Sequence, residues 1–256
     1  MKKEYIIPIF VPNLGCPMEC TFCSQQKITG KQTNVTKEDV KNTIEYYLKN
    51  FKDNSKYVEV AFFGGSFTGI DINIQKELLE AASEYIDKKK VNSIRISTRP
   101  DYINKDILKM LKKYHVKTIE LGVQSSNNYI LSKCKRGHTF EDVIKASKKI
   151  KLYGFKLGHQ MMIGLPESTQ IDDINTAKDL IKPVSYTHLD VYKRQGKYQV
   201  KNIIIVNTKL AHPLISKKVS KEYQKLVATL MELLTSCLLY TSHFFKVKKL
   251  LLYIMQ

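Results

Sequence analysis

With 256 residues, 43% of them hydrophobic and 26% charged, the chain has room for one large domain or two small ones and the balance of an ordinary globular protein. No apolar run reaches the length of a membrane span. The opening Met-Lys-Lys-Glu-Tyr leads into a strand too short for a signal-peptide core, with no small-residue cleavage site behind it, so no membrane partner and a cytoplasmic location are expected. The net charge of +18 invites a nucleic-acid reading, but residues 1–182 hold 30 Lys and Arg against 21 Asp and Glu, while residues 183–256 hold 12 against 3, so half of the surplus lies in the last stretch.

Taken in chain order, apolar runs alternate with helical patterns. A strand is expected over about Tyr5–Val11, followed by a cysteine loop. Thr36 ahead of Lys37-Glu38-Asp39 reads as an N-cap with an acidic first turn, opening a helix to about Phe51. There follow a strand at Tyr57–Phe63, a helix at Ile74–Lys88, a strand at Ser93–Thr98 and a helix capped by Asn104 that runs to about Tyr114. A strand at Val116–Val123 precedes helices near Asn128–Ser132 and Phe140–Tyr153. A strand at Phe155–Ile163 and a helix at about Ile171–Ile181 complete the series. Strands with little polar alternation, each followed by a helix, indicate parallel βα units with right-handed crossovers. The expected fold is α/β, an incomplete TIM-like barrel whose chemistry lies at the C-terminal ends of the strands.

The first strand end carries Asn13-Leu-Gly-Cys16-Pro-Met-Glu-Cys20-Thr-Phe-Cys23, a C-x3-C-x2-C triplet. Three cysteines crowded together suit a metal site better than a disulfide framework, and thiolates are the ligands that iron–sulfur clusters select. A cube has four irons, so three ligands leave one iron open, whereas an electron-transfer ferredoxin fills all four. Zinc is the alternative, but it needs a fourth ligand and no histidine lies in the loop. Cys134, set among Lys133, Lys135 and Arg136, reads as a bystander.

The other strand ends read Phe62-Phe63-Gly64-Gly65-Ser66-Phe67, Ile96-Ser97-Thr98-Arg99-Pro100-Asp101, Glu120-Leu-Gly-Val-Gln124-Ser125 and His159-Gln160-Met-Met-Ile-Gly-Leu-Pro166, with Lys135-Arg136-Gly137-His138-Thr139 leading into a helix. A glycine pair reads first as a tight turn or a close backbone approach. A planar guanidinium suits a carboxylate, which favours Arg136 as a carboxylate binder. His138 and His159 read as polar groups beside a cap and a strand end. Glu120 is either functional or paired to a Lys or Arg.

The triplet, with aromatic Phe22 before its last cysteine, resembles the radical S-adenosylmethionine (radical SAM) superfamily. Across residues 4–182 the strand-end series resembles the branch of the Elongator catalytic subunit, which modifies wobble uridine of tRNA, and more distantly the oxygen-independent coproporphyrinogen oxidases. The resemblance implies a 4Fe–4S cluster on Cys16, Cys20 and Cys23. Its open iron would chelate S-adenosylmethionine, and one electron would cleave the sulfonium to a 5′-deoxyadenosyl radical. It implies cofactor contacts at Phe22, Gly64, Gly65 and Ser66, adenosine contacts at Gln124 and Gln160, and a carboxylate contact at Arg136. Ser97 stands where relatives often carry an acidic residue on the ribose, a departure from the pattern. An electron donor of flavodoxin or ferredoxin type is implied as partner, and tRNA as a candidate substrate. The competing expectations are a radical enzyme acting on a small molecule and a non-catalytic iron–sulfur protein.

Past residue 182 the chain changes character. Allowed codons for Val184–Gln195, taken with the last two bases of the Pro183 codon, form DNA equal to its own reverse complement. Half of that DNA, read in another frame, encodes Cys-Leu-Leu-Tyr-Thr-Ser, which recurs at Cys237–Ser242. Selection on protein structure does not produce such a pair, and the DNA resembles a transposase end used in making sequencing libraries. The expected organisation is therefore a truncated core over 1–182, an assembly junction over 183–195, a fragment of separate or displaced origin over 196–236, a second junction over 237–242 and a scrap over 243–256. Lys201–Asn207 could pair as a strand, and Lys218–Leu234 could form an amphipathic helix.

Overall fold

The computed structural model describes residues 4–11, 20–23, 35–51 and 57–180, and the backbone of Ile203–Asn207. Cys16, the 183–195 and 237–242 junctions and the 218–234 helix lie outside the described residues. Strand β1 (Glu4–Val11) is followed by helix α1 (Lys37–Asn50), β2 (Tyr57–Gly64), α2 (Ile72–Asp87), β3 (Ser93–Thr98) and α3 (Lys105–Lys113). Then come β4 (Val116–Gln124), α4 (Asn128–Lys133), α5 (Phe140–Leu152), β5 (Lys156–Ile163), a helix α6 over residues 170–180 and β6 (Ile203–Asn207). The strands form one sheet in the order β1-β2-β3-β4-β5-β6, every pair parallel. This is the expected run of βα units. β6, from the segment of separate or displaced expected origin, joins it by pairing His159–Ile163 with Ile203–Asn207.

The helices begin where their caps dictate. Thr36 and Thr139 each close a capping box, with Asp39 and Asp142 as the third helical residues. Asp71, Asn104 and Asn127 each accept backbone N–H bonds from the first turn. At the other ends, Lys49, Lys112, Lys113, Lys149 and Lys151 fall in last turns, where a cation complements exposed carbonyls. In βα units those ends lie opposite the C-terminal ends of the strands. These lysines therefore answer to helix dipoles and sit away from the expected site.

The sheet has two unlike faces. One carries Ile7, Ile9, Val58, Val60, Phe62, Ile94, Ile96, Ile119, Leu121, Leu157 and Met161, all buried and packed in the core beneath the helices. Burial at about 25 cal/mol per Å2 of apolar area makes this layer the main source of stability. The other face is polar in its centre, with Tyr57, Glu59, Ser93, Arg95, Ser97, Thr118, Glu120 and Gln160 alternating with those apolar residues. Lys156 of β5 lies 5.9 Å over the Tyr57 ring of β2, so the sheet curls with this polar face inside. The expected lack of polar alternation therefore does not hold. Strands of a curled parallel sheet are covered by helices on one side only, and the inner side is filled by paired polar groups.

No helix among the described residues is long and apolar enough to cross a membrane.

Candidate functional site

The polar face is organised by one ion network. Arg95 donates from Nε to Glu59 Oε2 at 2.7 Å and from Nη1 to Glu120 Oε1 at 2.5 Å. Ser93 and Thr118 donate to the other Glu59 oxygen at 2.8 and 3.1 Å. The Glu59 and Glu120 side chains are 6% and 1% exposed, so each carboxylate depends on these partners for the hydrogen bonds that water does not give it. Burial opposes the charge on Arg95, but Glu59 and Glu120 outweigh it and hold the guanidinium pKa above its ordinary value. Two carboxylates against one guanidinium leave a surplus negative charge. The free Glu120 oxygen takes up that surplus by accepting from Ser97 Oγ at 3.2 Å and from Gln160 Nε2 at 3.0 Å. Gln160 also donates to Ser97 Oγ at 3.2 Å. Ser97 and Glu120 are register partners, so a carboxylate stands one strand over from the residue that lacks it.

Further along the strands, towards their C-terminal ends, β4 supplies Gly122 and Gln124. Gln124 has a left-handed backbone (φ 72°) at an irregularity in the β4–β5 register. Such a conformation costs about 1–3 kcal/mol and re-aims the side chain. Its Oε1 is buried and has no hydrogen-bond partner among the described residues. The neighbouring Gly122 leaves room for two side chains, since a Cβ there would sit 3.0 Å from both Arg136 Nη2 and Gln124 Nε2. Arg136 Nη2 donates to the Gly122 carbonyl at 2.6 Å, and its Nη1 lies 3.7 Å from Cys20 Sγ.

The Cys20–Cys23 turn docks on the turn after α4. Cys23 N donates to Cys20 O at 2.9 Å, a tight turn that sets these two cysteines together, and Thr21 N donates to Cys134 O at 3.3 Å. Cys20 is buried, Cys23 is half-buried, and Phe22, like Met162, packs against the cluster of Ile130, Cys134 and Leu165. Cys134 is thus no distant bystander. Its backbone receives the Cys20–Cys23 turn, and burial pushes its thiol pKa up although the Thr21 side chain hydrogen-bonds the sulfur. The sequence separation of α4 from the loop hid this proximity.

At the β2 end, Gly64 has φ 120° and a Cβ there would lie 2.1 Å from the Val11 carbonyl oxygen. Gly65 N donates to that same oxygen at 3.4 Å. Ser66 is buried, its hydroxyl 2.8 Å from Thr98 Oγ1 and accepting from Arg99 N at 3.3 Å. The glycine pair and Ser66 therefore join the ends of β1, β2 and β3 next to the cysteine loop. Arg99 in turn grips Asp101 with both Nε and Nη2, at 3.0 and 2.9 Å. Loops after β4 and β5 are pinned by α6: Ser126 N and Asn127 Nδ2 donate to Thr176 and Asp172 at 3.0 Å each, and Gly164 N donates to Asp173 at 3.0 Å.

The two histidines do not join the polar face. His159 lies beneath α5, fully buried, with Ser147 Oγ 2.9 Å from its Nε2, and burial pushes it down to about 4. His138 is held to about 4 by burial and then by the positive charges of Arg136 and Arg99. Both values lie below the ordinary 6.5. The unfolded chain therefore binds protons first, and the stability these groups contribute is complete above about pH 6.5 and lost as pH falls to 4. For His159→Gln, the stability difference between pH 7 and pH 4.5 is expected to shrink by about 2–3 kcal/mol in urea unfolding. An unchanged difference would mean that His159 is already protonated in the folded protein.

Comparison with known proteins agrees with this geometry. The Radical SAM superfamily model matches residues 10–180. A tRNA uridine(34) acetyltransferase of Methanocaldococcus jannaschii is 34% identical over 142 residues, which is 49% of this chain and 26% of that protein. A tRNA-2-methylthio-N(6)-dimethylallyladenosine synthase of Fusobacterium nucleatum is 25% identical over 240 residues, 91% of this chain and 52% of that protein. Among solved structures, the archaeal Elp3 of Methanocaldococcus infernus superposes with a TM-score of 0.52 at 26% identity, covering 70% of this chain and 42% of that one. The coproporphyrinogen III oxidase HemN of Escherichia coli superposes with a TM-score of 0.58 at 16% identity, over 92% of this chain and 52% of its own. The chain thus spans about a quarter of the acetyltransferase and about half of the other tRNA enzyme.

Proposed function

The chain belongs to the radical SAM superfamily, and on that premise we propose that its core, residues 1–182, holds a 4Fe–4S cluster on Cys16, Cys20 and Cys23 and cleaves S-adenosylmethionine reductively. The observation that carries this reading is the docking of the Cys20–Cys23 turn on Cys134 and Arg136, which gathers the cysteine loop, Gly64, Gln124 and Arg136 at one end of the sheet. The donor set fits. Thiolates suit iron, the buried Gln124 Oε1 awaits a donor, and Gly122 keeps space beside Arg136. When bound, the cluster would supply the one electron that splits S-adenosylmethionine into methionine and a 5′-deoxyadenosyl radical.

The chain's own residues do the placing. Phe22 seals the back of the loop, and Ser66 latches the β2 end to the β3 end. Gly64 and Gly65 keep β1 and β2 close enough for the loop to reach the other strand ends. Gln160, Ser97 and Glu120 form one hydrogen-bonded group suited to nucleoside hydroxyls, with Glu120 supplying the carboxylate missing at Ser97. Arg136 offers a guanidinium for the methionine carboxylate.

For substrate we propose tRNA, at the wobble uridine, with a flavodoxin or ferredoxin as donor. The support is the named activity of the relative in Methanocaldococcus jannaschii and the basic surplus of residues 1–182. A small-molecule substrate draws only on the fold likeness to HemN. The junction reading of 183–195 rests on the sequence, and the proposed activity attaches to the core before it.

The test uses a full-length relative with these motifs, reconstituted anaerobically and supplied with dithionite, S-adenosylmethionine and tRNA. Release of 5′-deoxyadenosine and a mass change at uridine 34 are expected. A full cluster with no 5′-deoxyadenosine would leave the iron–sulfur binding protein as the reading, and release without any change in tRNA would move the substrate to small molecules.

A further inference from the structure

We propose that Arg136 is a positioning residue that hydrogen-bonds the Cys20 thiolate and so raises the electron affinity of the cluster; the inference rests on the cluster reading above. The geometry is specific to this guanidinium. Nη1 lies 3.7 Å from Cys20 Sγ, within reach of a sulfur acceptor, while Nη2 is tied to the Gly122 carbonyl at 2.6 Å. The second bond fixes the plane of the fork with Nη1 turned towards Cys20. In the thiol form Cys20 Sγ donates to Lys135 O at 3.7 Å, so the sulfur lies in the turn that carries Arg136. The backbone of that turn sets the approach, since Lys135 adopts φ 53° and Arg136 N returns to Leu131 O at 2.9 Å.

Three further features hold the pair together. Thr21 N is bonded to Cys134 O, Phe22 is packed beneath the turn, and Gly122 has no side chain to displace the guanidinium. Cys20 is 5% and Arg136 7% exposed, so water does not screen the contact. An arginine stays charged under all working conditions. Reduction adds one electron to a cluster whose charge extends onto its thiolates, and a charged donor at a thiolate stabilises the reduced state more than the oxidised one. Hydrogen bonds to sulfur and local charge are among the terms that set such potentials.

The test is a redox titration of the reconstituted full chain without S-adenosylmethionine, followed by the electron paramagnetic resonance of the reduced cluster. Only chains that hold a cluster give signal, so partial loss of iron in a variant does not obscure the midpoint. For Arg136→Gln the electron affinity is expected to weaken about tenfold, a fall of about 59 mV for one electron. Arg136→Lys keeps the charge but cannot hold Gly122 and Cys20 at once, and its midpoint is expected between the two. Midpoints equal to wild type in both variants, with only S-adenosylmethionine affinity reduced, would overturn the proposal and leave Arg136 as a cofactor contact alone. A wild-type chain that assembles no cluster overturns the cluster reading, and this proposal with it.

Discussion

Serine at Cys20 or Cys23 is expected to strip the chain of cluster iron, while alanine at Cys134 leaves it in place. The two sets of cysteines lie side by side, which makes the contrast demanding. Cys20 and Cys23 share a tight turn, and Cys20 faces Arg136. Cys134 offers the Cys20–Cys23 turn its backbone carbonyl, which alanine retains, while its side chain packs with Ile130 and Leu165 and its thiol is hydrogen-bonded by the Thr21 side chain. Burial disfavours its thiolate, the form that iron requires. Alanine removes one buried sulfur and its hydrogen bond with Thr21, at a cost of about 1–3 kcal/mol. Iron and sulfide per chain after anaerobic reconstitution, with the visible absorbance of the cluster, read the outcome. Iron that disappears in Cys134→Ala at unchanged secondary structure would make Cys134 a ligand and close the open iron on which the proposed chemistry depends.

The parts of this site that could be read in the sequence are those whose chemistry is local. The strands and helices follow from apolar runs and caps such as Thr36 and Thr139, and all five expected strands form in the expected order. Their parallel pairing brings Gly64, Ser97, Gln124 and Gln160 to the same end of one sheet. What stayed hidden depends on which strand lies next to which. Glu59 and Arg95 are single charges inside apolar strands, and only the β2–β3–β4 registers make them partners of Glu120. The alternation Ser93, Arg95, Ser97 was the available signal, and it is weak over six residues. Cys134 reaches the cysteine loop because α4 is short and its last turn folds back, a geometry that spacing does not encode. His159 alternates with Gln160, so one points under α5 and the other into the ion network, and a strand-end polar pair does not reveal which is which.

Gly64→Ala is expected to lower both stability and cluster occupancy, whereas Gly154→Ala lowers stability alone and by less. Both glycines have positive φ, 120° and 82°, so any side chain is strained at either. The difference lies in what a Cβ would meet. At Gly154 no atom of the described residues lies within 4 Å, and the cost is that of backbone conformation, about 1 kcal/mol. At Gly64 the Cβ would stand 2.1 Å from the carbonyl oxygen of Val11, an atom of the neighbouring strand with no freedom to rotate away. That carbonyl also receives Gly65 N, so pushing it aside breaks the last tie between β1 and β2. Conformational strain of about 1–3 kcal/mol, added to the clash, puts the expected loss at about 3 kcal/mol or more. For a domain of this size, a loss of that order lowers the melting temperature of the cluster-free chain by roughly 6–12 °C. Val11 stands five residues before Cys16, so its displacement is expected to carry along the chain into the position of Cys20 against Arg136. Iron per chain should therefore fall in Gly64→Ala at a temperature where the variant is still folded, and remain at the wild-type value in Gly154→Ala. Equal iron in both, with equal melting temperatures, would show that the β1–β2 junction yields without cost and that the close approach at Gly64 does not position the loop.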